Sequence, residues 1–298
     1  MASILDQNLR AMGLISRLLQ LERPLFTPRE VADFARDCGL DRHTAFCMLL
    51  AAACGLNIEE NADHRRLARE YLFPALRCLT PAAYATDPYY SLLKAANVRQ
   101  GGWWLTQHTY APYQVFPCGN TRQLPGGRTI PQLGYFEMPF PYPVLLENGR
   151  EWMSVIPNEI ETMRADIDAA RGRTLVLGLG LGYFAYSVSE KPQVRSVTVV
   201  ERSPEAIALF RDHLLPLFPQ REKLTLVQAD AFDFIENAAD PAAYDYVYAD
   251  LWHDVSDGVP LYLCLKGLQG RLRAEWRYWI EPDMRIFLQG MAQDGLLP

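Results

Sequence analysis

Residues 175–184, LVLGLGLGYF, constrain this chain more than any other stretch. They open on three consecutive apolar residues, Leu175, Val176 and Leu177, the pattern of a strand covered on both faces of a parallel sheet. Gly178, Gly180 and Gly182 follow at alternate positions, and a helix is expected to start near Tyr183. Glycines so placed let a chain turn sharply and bring backbone N–H groups up to a ligand. The spacing is G-x-G-x-G. Tyr183 stands where a dinucleotide fingerprint needs its third glycine, which disfavours a nicotinamide or flavin.

Three later runs repeat the strand pattern. Residues 197–200 are apolar and β-branched and end in Glu201, about twenty residues past the glycines, where an acid can grip ribose hydroxyls. Residues 224–227 lead into Asp230, and residues 244–249 lead into Asp250. Helix-like segments separate them. Each acid taken alone is an ordinary solvated side chain. In an open parallel sheet, however, all four endings share the carboxyl edge, where ligands bind.

The motifs LVLGLGLGYF, VTVVE, LVQADAF and YDYVYADLWHD resemble the successive motifs of class I S-adenosylmethionine-dependent methyltransferases, in particular the spermidine-synthase-like branch. The resemblance spans about residues 173–260. It implies an α/β fold with a Rossmann-like methyltransferase sheet and S-adenosylmethionine as cofactor. Gly178, Gly180 and Gly182 would pass under the methionine part, and Glu201 would bind both ribose hydroxyls. Asp230 and the Ala231 backbone would bind the adenine, with Asp250 beside the reacting centre. Leu179, Tyr183 and Arg202 flank these positions and complete the candidate cofactor set.

The loop after the fourth run, Asp250-Leu251-Trp252-His253-Asp254, is the candidate catalytic segment. Asp250 can orient an amine, His253 has a reference pKa suited to proton removal near neutrality, and Asp254 can orient His253. Aminopropyltransferases of the same branch carry an Asp-Ser-Ser/Thr-Asp-Pro-like loop here. This chain keeps only the first acid, which ranks methyl transfer above aminopropyl transfer; a non-catalytic cofactor-binding sensor or regulator ranks third. Only 48 residues follow Asp250 (298 minus 250), too few for three further strands with their helices. The sheet is therefore expected to be shortened at that edge, with a helix at residues 261–268 and strand or helix at 276–280.

Upstream, residues 1–80 read as a helical, helix-turn-helix-like domain, with a capping box at Thr27–Glu30, Pro28 at a first helical position and Gly39 as a stop. Residues 81–156 form an aromatic-rich connecting region, and residues 157–298 the catalytic domain. Within the connecting region Trp103 and Tyr110 are candidate substrate contacts, as aromatic faces that can hold a cation. Asn148-Gly149 predicts a β-hairpin turn, and Asn158 with Glu161 a capping-box start for the next helix. Glu151, Glu159 and Trp252 complete the candidate substrate set.

The formal net charge of −6 argues against a nucleic-acid partner, because phosphate neutralisation needs clustered positive charge. It suits a cationic small-molecule substrate. No apolar run reaches membrane-span length, and the first residues do not read as a secretory signal. The six cysteines form no C-x-x-C pair and read as buried thiols of a cytoplasmic protein, with no metal site. A homodimer through the N-terminal helical domain is the expected assembly.

Overall fold

The helix signals of the first eighty residues act where the sequence puts them. In the computed structural model, which describes residues 3–21, 23–93, 97–238 and 240–293, helix α1 runs Ile4–Leu19, α2 Pro28–Cys38 and α3 Arg42–Ala53. Thr27 caps α2 through a complete capping box with Glu30, and Gly39 ends it in the left-handed conformation. Helix α1 buries Ala11, Leu14, Ile15 and Leu18, each larger side chain stabilising the fold by roughly 1.5–3 kcal/mol. A short strand, Leu76–Cys78, closes this stretch and pairs in parallel with Leu133–Tyr135.

By its contacts the chain divides into two units: Met1–Thr86 with His108–Tyr142, and Asp87–Gln107 with Pro143–Pro298. The aromatic-rich stretch is thus shared between them. The first unit packs Phe46, Tyr113 and Tyr135 at the centre of its core, with Phe46 and Tyr135 ring centroids 4.6 Å apart.

The second unit contains a five-stranded sheet and, through residues 98–107 and 143–154, most of a four-stranded one. A four-stranded sheet has the order β1 (Val98–Gln100), β2 (Trp103–Tyr110), β3 (Phe140–Glu147) and β4 (Arg150–Ser154). Strands β3 and β4 form the expected hairpin, with Asn148 and Gly149 at φ 51° and 82°, as a type I′ turn requires. Helix α4 (Pro157–Ala169) follows. Its capping differs from expectation. The cap is Ile156, without a side-chain bond, because Pro157 takes the first helical position and Glu161 pairs with Arg164 at 3.1 Å.

A five-stranded sheet comprises β5 (Gly172–Leu177), β6 (Val194–Glu201), β7 (Leu224–Gln228), β8 (Tyr246–Ala249) and β9 (Glu275–Tyr278). The order is β7-β6-β5-β8-β9, and every pairing is parallel. This is the Rossmann-like order, with its reversal between β5 and β8. The connecting helices are α5 (Tyr183–Ser189), α6 (Pro204–Leu209), α7 (Ala231–Glu236) and α8 (Val255–Leu268), and α9 (Glu281–Gln293) follows β9. Leu175, Val176 and Leu177 are buried, as a central strand demands. Phe184 of α5 stacks on Tyr248 of β8, centroids 3.7 Å apart. Strand β8 starts at Tyr246 rather than Tyr244, and the Asp245 carboxylate just before it accepts from the Arg173 and Arg195 guanidinium groups. One strand, β9, follows β8 among the described residues, in keeping with a short edge.

The cysteines depart from expectation. Cys47 and Cys118 are buried and Cys54 half-buried, but Cys38, Cys78 and Cys264 are exposed, since they fall on solvated faces of their elements. No group that could hold a metal occurs among the described residues, and none of their helices is long and apolar enough to cross a membrane.

Candidate functional site

The reversal between β5 and β8 opens a crevice at the strands' carboxyl ends, and a cavity of about 620 Å³ lies there. That size suits a nucleoside-bearing ligand with a second small molecule. Gly178 leaves β5 at φ 97°, and a Cβ on it would meet the carbonyl oxygen of Asp250 at the end of β8. The two strand tips therefore approach so closely that only glycine fits. Tyr89 braces the turn from behind by donating its hydroxyl to the Leu181 carbonyl. Gly182 caps α5 in the left-handed region.

Glu201 ends β6 with its carboxylate already positioned. One oxygen accepts the Leu179 N–H at 3.2 Å and the other the Ser203 N–H at 2.8 Å. Asp230 ends the next connection and caps α7 by accepting from Phe232 and Asp233 at 2.8 and 3.2 Å. Gly178, Leu179, Gly180, Glu201, Arg202, Asp230, Ala231 and Asp250 all line the one cavity. Gly182 and Tyr183 do not line it; the Tyr183 hydroxyl donates to Asp87 at 3.0 Å.

The opposite side of the cavity is acidic and aromatic. Glu159, in the first turn of α4, is buried, and its carboxyl is pushed far up by burial first and by the neighbouring Asp250 second. Burial alone raises the Asp250 carboxyl to about 7. No cation among the described residues contributes to either shift. Glu151, Trp152, Met153 and Ser154 line the cavity as four consecutive residues, which strict strand alternation would forbid. The register explains it: Leu145 pairs with Met153 but Leu146 with Glu151, leaving Trp152 as the extra residue of a bulge. A bulge re-aims the side chain it carries.

The loop after β8 is arranged differently from expectation. Asp257, not Asp254, meets the imidazole: His253 Nδ1 lies 3.1 Å from its carboxylate. Asp254 caps α8 by accepting the Ser256 N–H at 2.6 Å. His253 is exposed on the loop and meets Trp152 edge to face at 5.1 Å. Trp252 is buried and lines the cavity. Trp103 stands behind Trp152, centroids 5.7 Å apart, and does not line it. Tyr110 belongs to the first unit, stacked on Phe116 at 4.0 Å, so its aromatic face is occupied by core packing.

Comparison with known proteins adds the following. No protein-family model matches the chain, and no curated protein does. Among solved structures it is similar to a candidate O-methyltransferase of Klebsiella pneumoniae, 19% identical with a TM-score of 0.27 over 34% of this chain and 44% of that one. A precorrin-6y C5,15-methyltransferase of Geobacter metallireducens is 18% identical, TM-score 0.32, over 42% of this chain and 62% of that one. A candidate spermidine synthase of Corynebacterium glutamicum is 25% identical, TM-score 0.30, over 37% of this chain and 44% of that one. The chain thus spans less than two thirds of the length of these structures. The strand order, not these scores, identifies its second unit. It is a Rossmann-like α/β fold.

Sequence reasoning missed Trp152, Met153, Asp257 and Trp279, all of which line the cavity. Asp257 carried a readable signal, since Asp254 and Asp257 stand at capping-box spacing. Trp152 carried none, because a bulge leaves no mark in an alternating pattern.

Proposed function

We propose that this chain is an S-adenosylmethionine-dependent methyltransferase acting on a small amine. One observation carries the reading: the glycine turn, Glu201, Asp230 and the unneutralised Asp250–Glu159 pair line a single cavity at the sheet's reversal point. The residues suit the cofactor. Each Glu201 oxygen accepts one backbone N–H, and a carboxylate oxygen takes about two, which leaves room for a ribose diol. The Leu181 N–H is taken by Met153 Sδ at 3.1 Å, so Gly178, Leu179 and Gly180 are the part of the turn that borders the cavity.

When bound, S-adenosylmethionine supplies a methyl group on a positively charged sulfur. The chain's part is to bind and orient. Gly178, Gly180 and Leu179 form the floor, Glu201 holds the ribose, and Asp230 with the Ala231 backbone holds the base. Asp250 accepts a hydrogen bond from the amine and takes its proton at the carboxylate. Glu159, its carboxyl pushed up by burial and by Asp250, stands with Asp250 on the acidic side of the cavity. His253, exposed and engaged by Asp257, belongs to the mouth. Aminopropyl transfer is the second reading, favoured by the acidic wall. Calorimetric titration with S-adenosylmethionine and with its decarboxylated form separates the two. Binding of neither removes both, and labelled-methyl transfer to an amine panel tests turnover.

A further inference from the structure

Two tryptophans built deep into the cavity wall share an unusual property: neither presents its N–H to the ligand space. Trp279 and Trp252 are 6% and 5% exposed, and both line the cavity. The Trp279 indole N–H donates to Thr162 Oγ1 at 2.9 Å. The Trp252 Nε1 is enclosed by protein with no hydrogen-bond partner among the described residues. Gly258 seats that indole, because a Cβ there would stand 2.8 Å from Trp252 Cγ and Cδ1. What both rings offer the cavity is therefore carbon rather than a hydrogen-bond donor. Trp152, set by the bulge, adds a third ring at the mouth. Facing the same space are Glu159 and Asp250.

Rings without donors combined with carboxylates that no cation neutralises make a poor site for a neutral hydroxyl or thiol. They suit a cation whose surface is methyl rather than N–H, since such an ion is held by ring faces and net charge, not by donated hydrogen bonds. We infer that the cavity holds a tertiary amine and its quaternary ammonium product, so that methylation here is the last of a series on one nitrogen. The inference rests on the methyl-transfer reading above. In that step the nitrogen lone pair becomes the fourth N–C bond as the sulfonium's S–CH₃ bond breaks. Positive charge passes from sulfur to nitrogen; an amine that arrives protonated first gives that proton to Asp250, and the free tertiary amine then has none to release. A primary amine, by contrast, would lose one carboxylate contact with every methyl added, while the indole surface loses nothing.

The test uses the full chain with S-adenosylhomocysteine, choline and the neutral isostere of choline, 3,3-dimethylbutan-1-ol. Calorimetry and tryptophan fluorescence follow each titration. Choline is expected to bind at least tenfold more tightly than the isostere in the presence of S-adenosylhomocysteine. Trp152→Leu should lower choline affinity at least fivefold and leave S-adenosylhomocysteine affinity within twofold. Glu159→Gln serves as a second variant with the same expected loss. If S-adenosylhomocysteine binds but choline and the isostere bind equally, or not at all, the inference is overturned and the methyl-transfer reading stands. If S-adenosylhomocysteine does not bind, both fall.

Discussion

Two regions of this protein are equally rich in aromatic rings, and they use them in opposite ways. In the first unit Tyr110, Tyr113, Phe116, Tyr135 and Phe136 pack against one another and against Phe46. Their hydroxyls have local partners, as where His43 Nδ1 meets the Tyr135 hydroxyl at 2.9 Å. In the second unit Trp152, Trp252 and Trp279 border open space beside two acids without a counter-ion. Aromatic content alone distinguishes nothing. The difference lies in the neighbours: ring against ring makes a core, and ring against an unneutralised carboxylate makes a site.

The sharpest way to break this contrast is to cut each region and read both stability and ligand affinity. Tyr135→Ala should destabilise the chain by about 3–5 kcal/mol in denaturant titrations. The fraction that remains folded should bind S-adenosylhomocysteine unchanged; a lost affinity would mean the first unit's rings are not merely a core. Gly178→Ala comes next. Its left-handed φ and the Asp250 carbonyl together predict a loss of about 2–3 kcal/mol and no measurable nucleoside binding. Glu201→Ala and Asp230→Ala should each weaken S-adenosylhomocysteine binding by about 1–3 kcal/mol, the scale of a lost buried partner, as read by calorimetry.

The pH dependence sharpens the contrast further. Asp250 has a raised folded pKa of about 7, against about 3.9 unfolded. Its contribution to stability is therefore fully present below the unfolded value and lost as pH rises from about 4 to 7. Cation binding runs the other way, strengthening as Asp250 ionises across pH 7. Asp250→Asn should flatten both curves. Thermal melts and choline titrations at pH 5 and 8 check this, and an unchanged wild-type melt across that window would contradict it. The smallest effect is at the loop: Asp254→Ala should cost about 1 kcal/mol through its lost helix cap and leave turnover near wild type. His253→Ala should reduce turnover less than tenfold.

What could be read in the sequence was whatever depends on near neighbours along the chain. The strand runs, Thr27's capping box, the Asn148-Gly149 turn and the glycine spacing are all local signals, and each has its counterpart in the fold. The carboxyl-edge acids could be anticipated because parallel strands share a direction, which makes their endings share an edge. The site's other wall was out of reach, for it depends on long-range pairing. The extra residue at Trp152 exists only relative to Leu145 and Leu146 across the hairpin. Asp257 displaced Asp254 beside His253 because a helix cap holds its acid on backbone N–H groups. The capping signal at Asn158 failed because the proline before it fixes where the helix starts.

The hairpin turn reaches further than its own two residues. Because Asn148 and Gly149 fix the return strand's alignment, they also decide that a thioether, rather than an indole or a hydroxyl, rests on the Leu181 amide. Lengthening that turn by a single residue would slide the strand and exchange Met153 for Trp152 or Ser154 at the glycine bend. Ligand preference at one end of the pocket is thus written in a surface loop that touches no ligand.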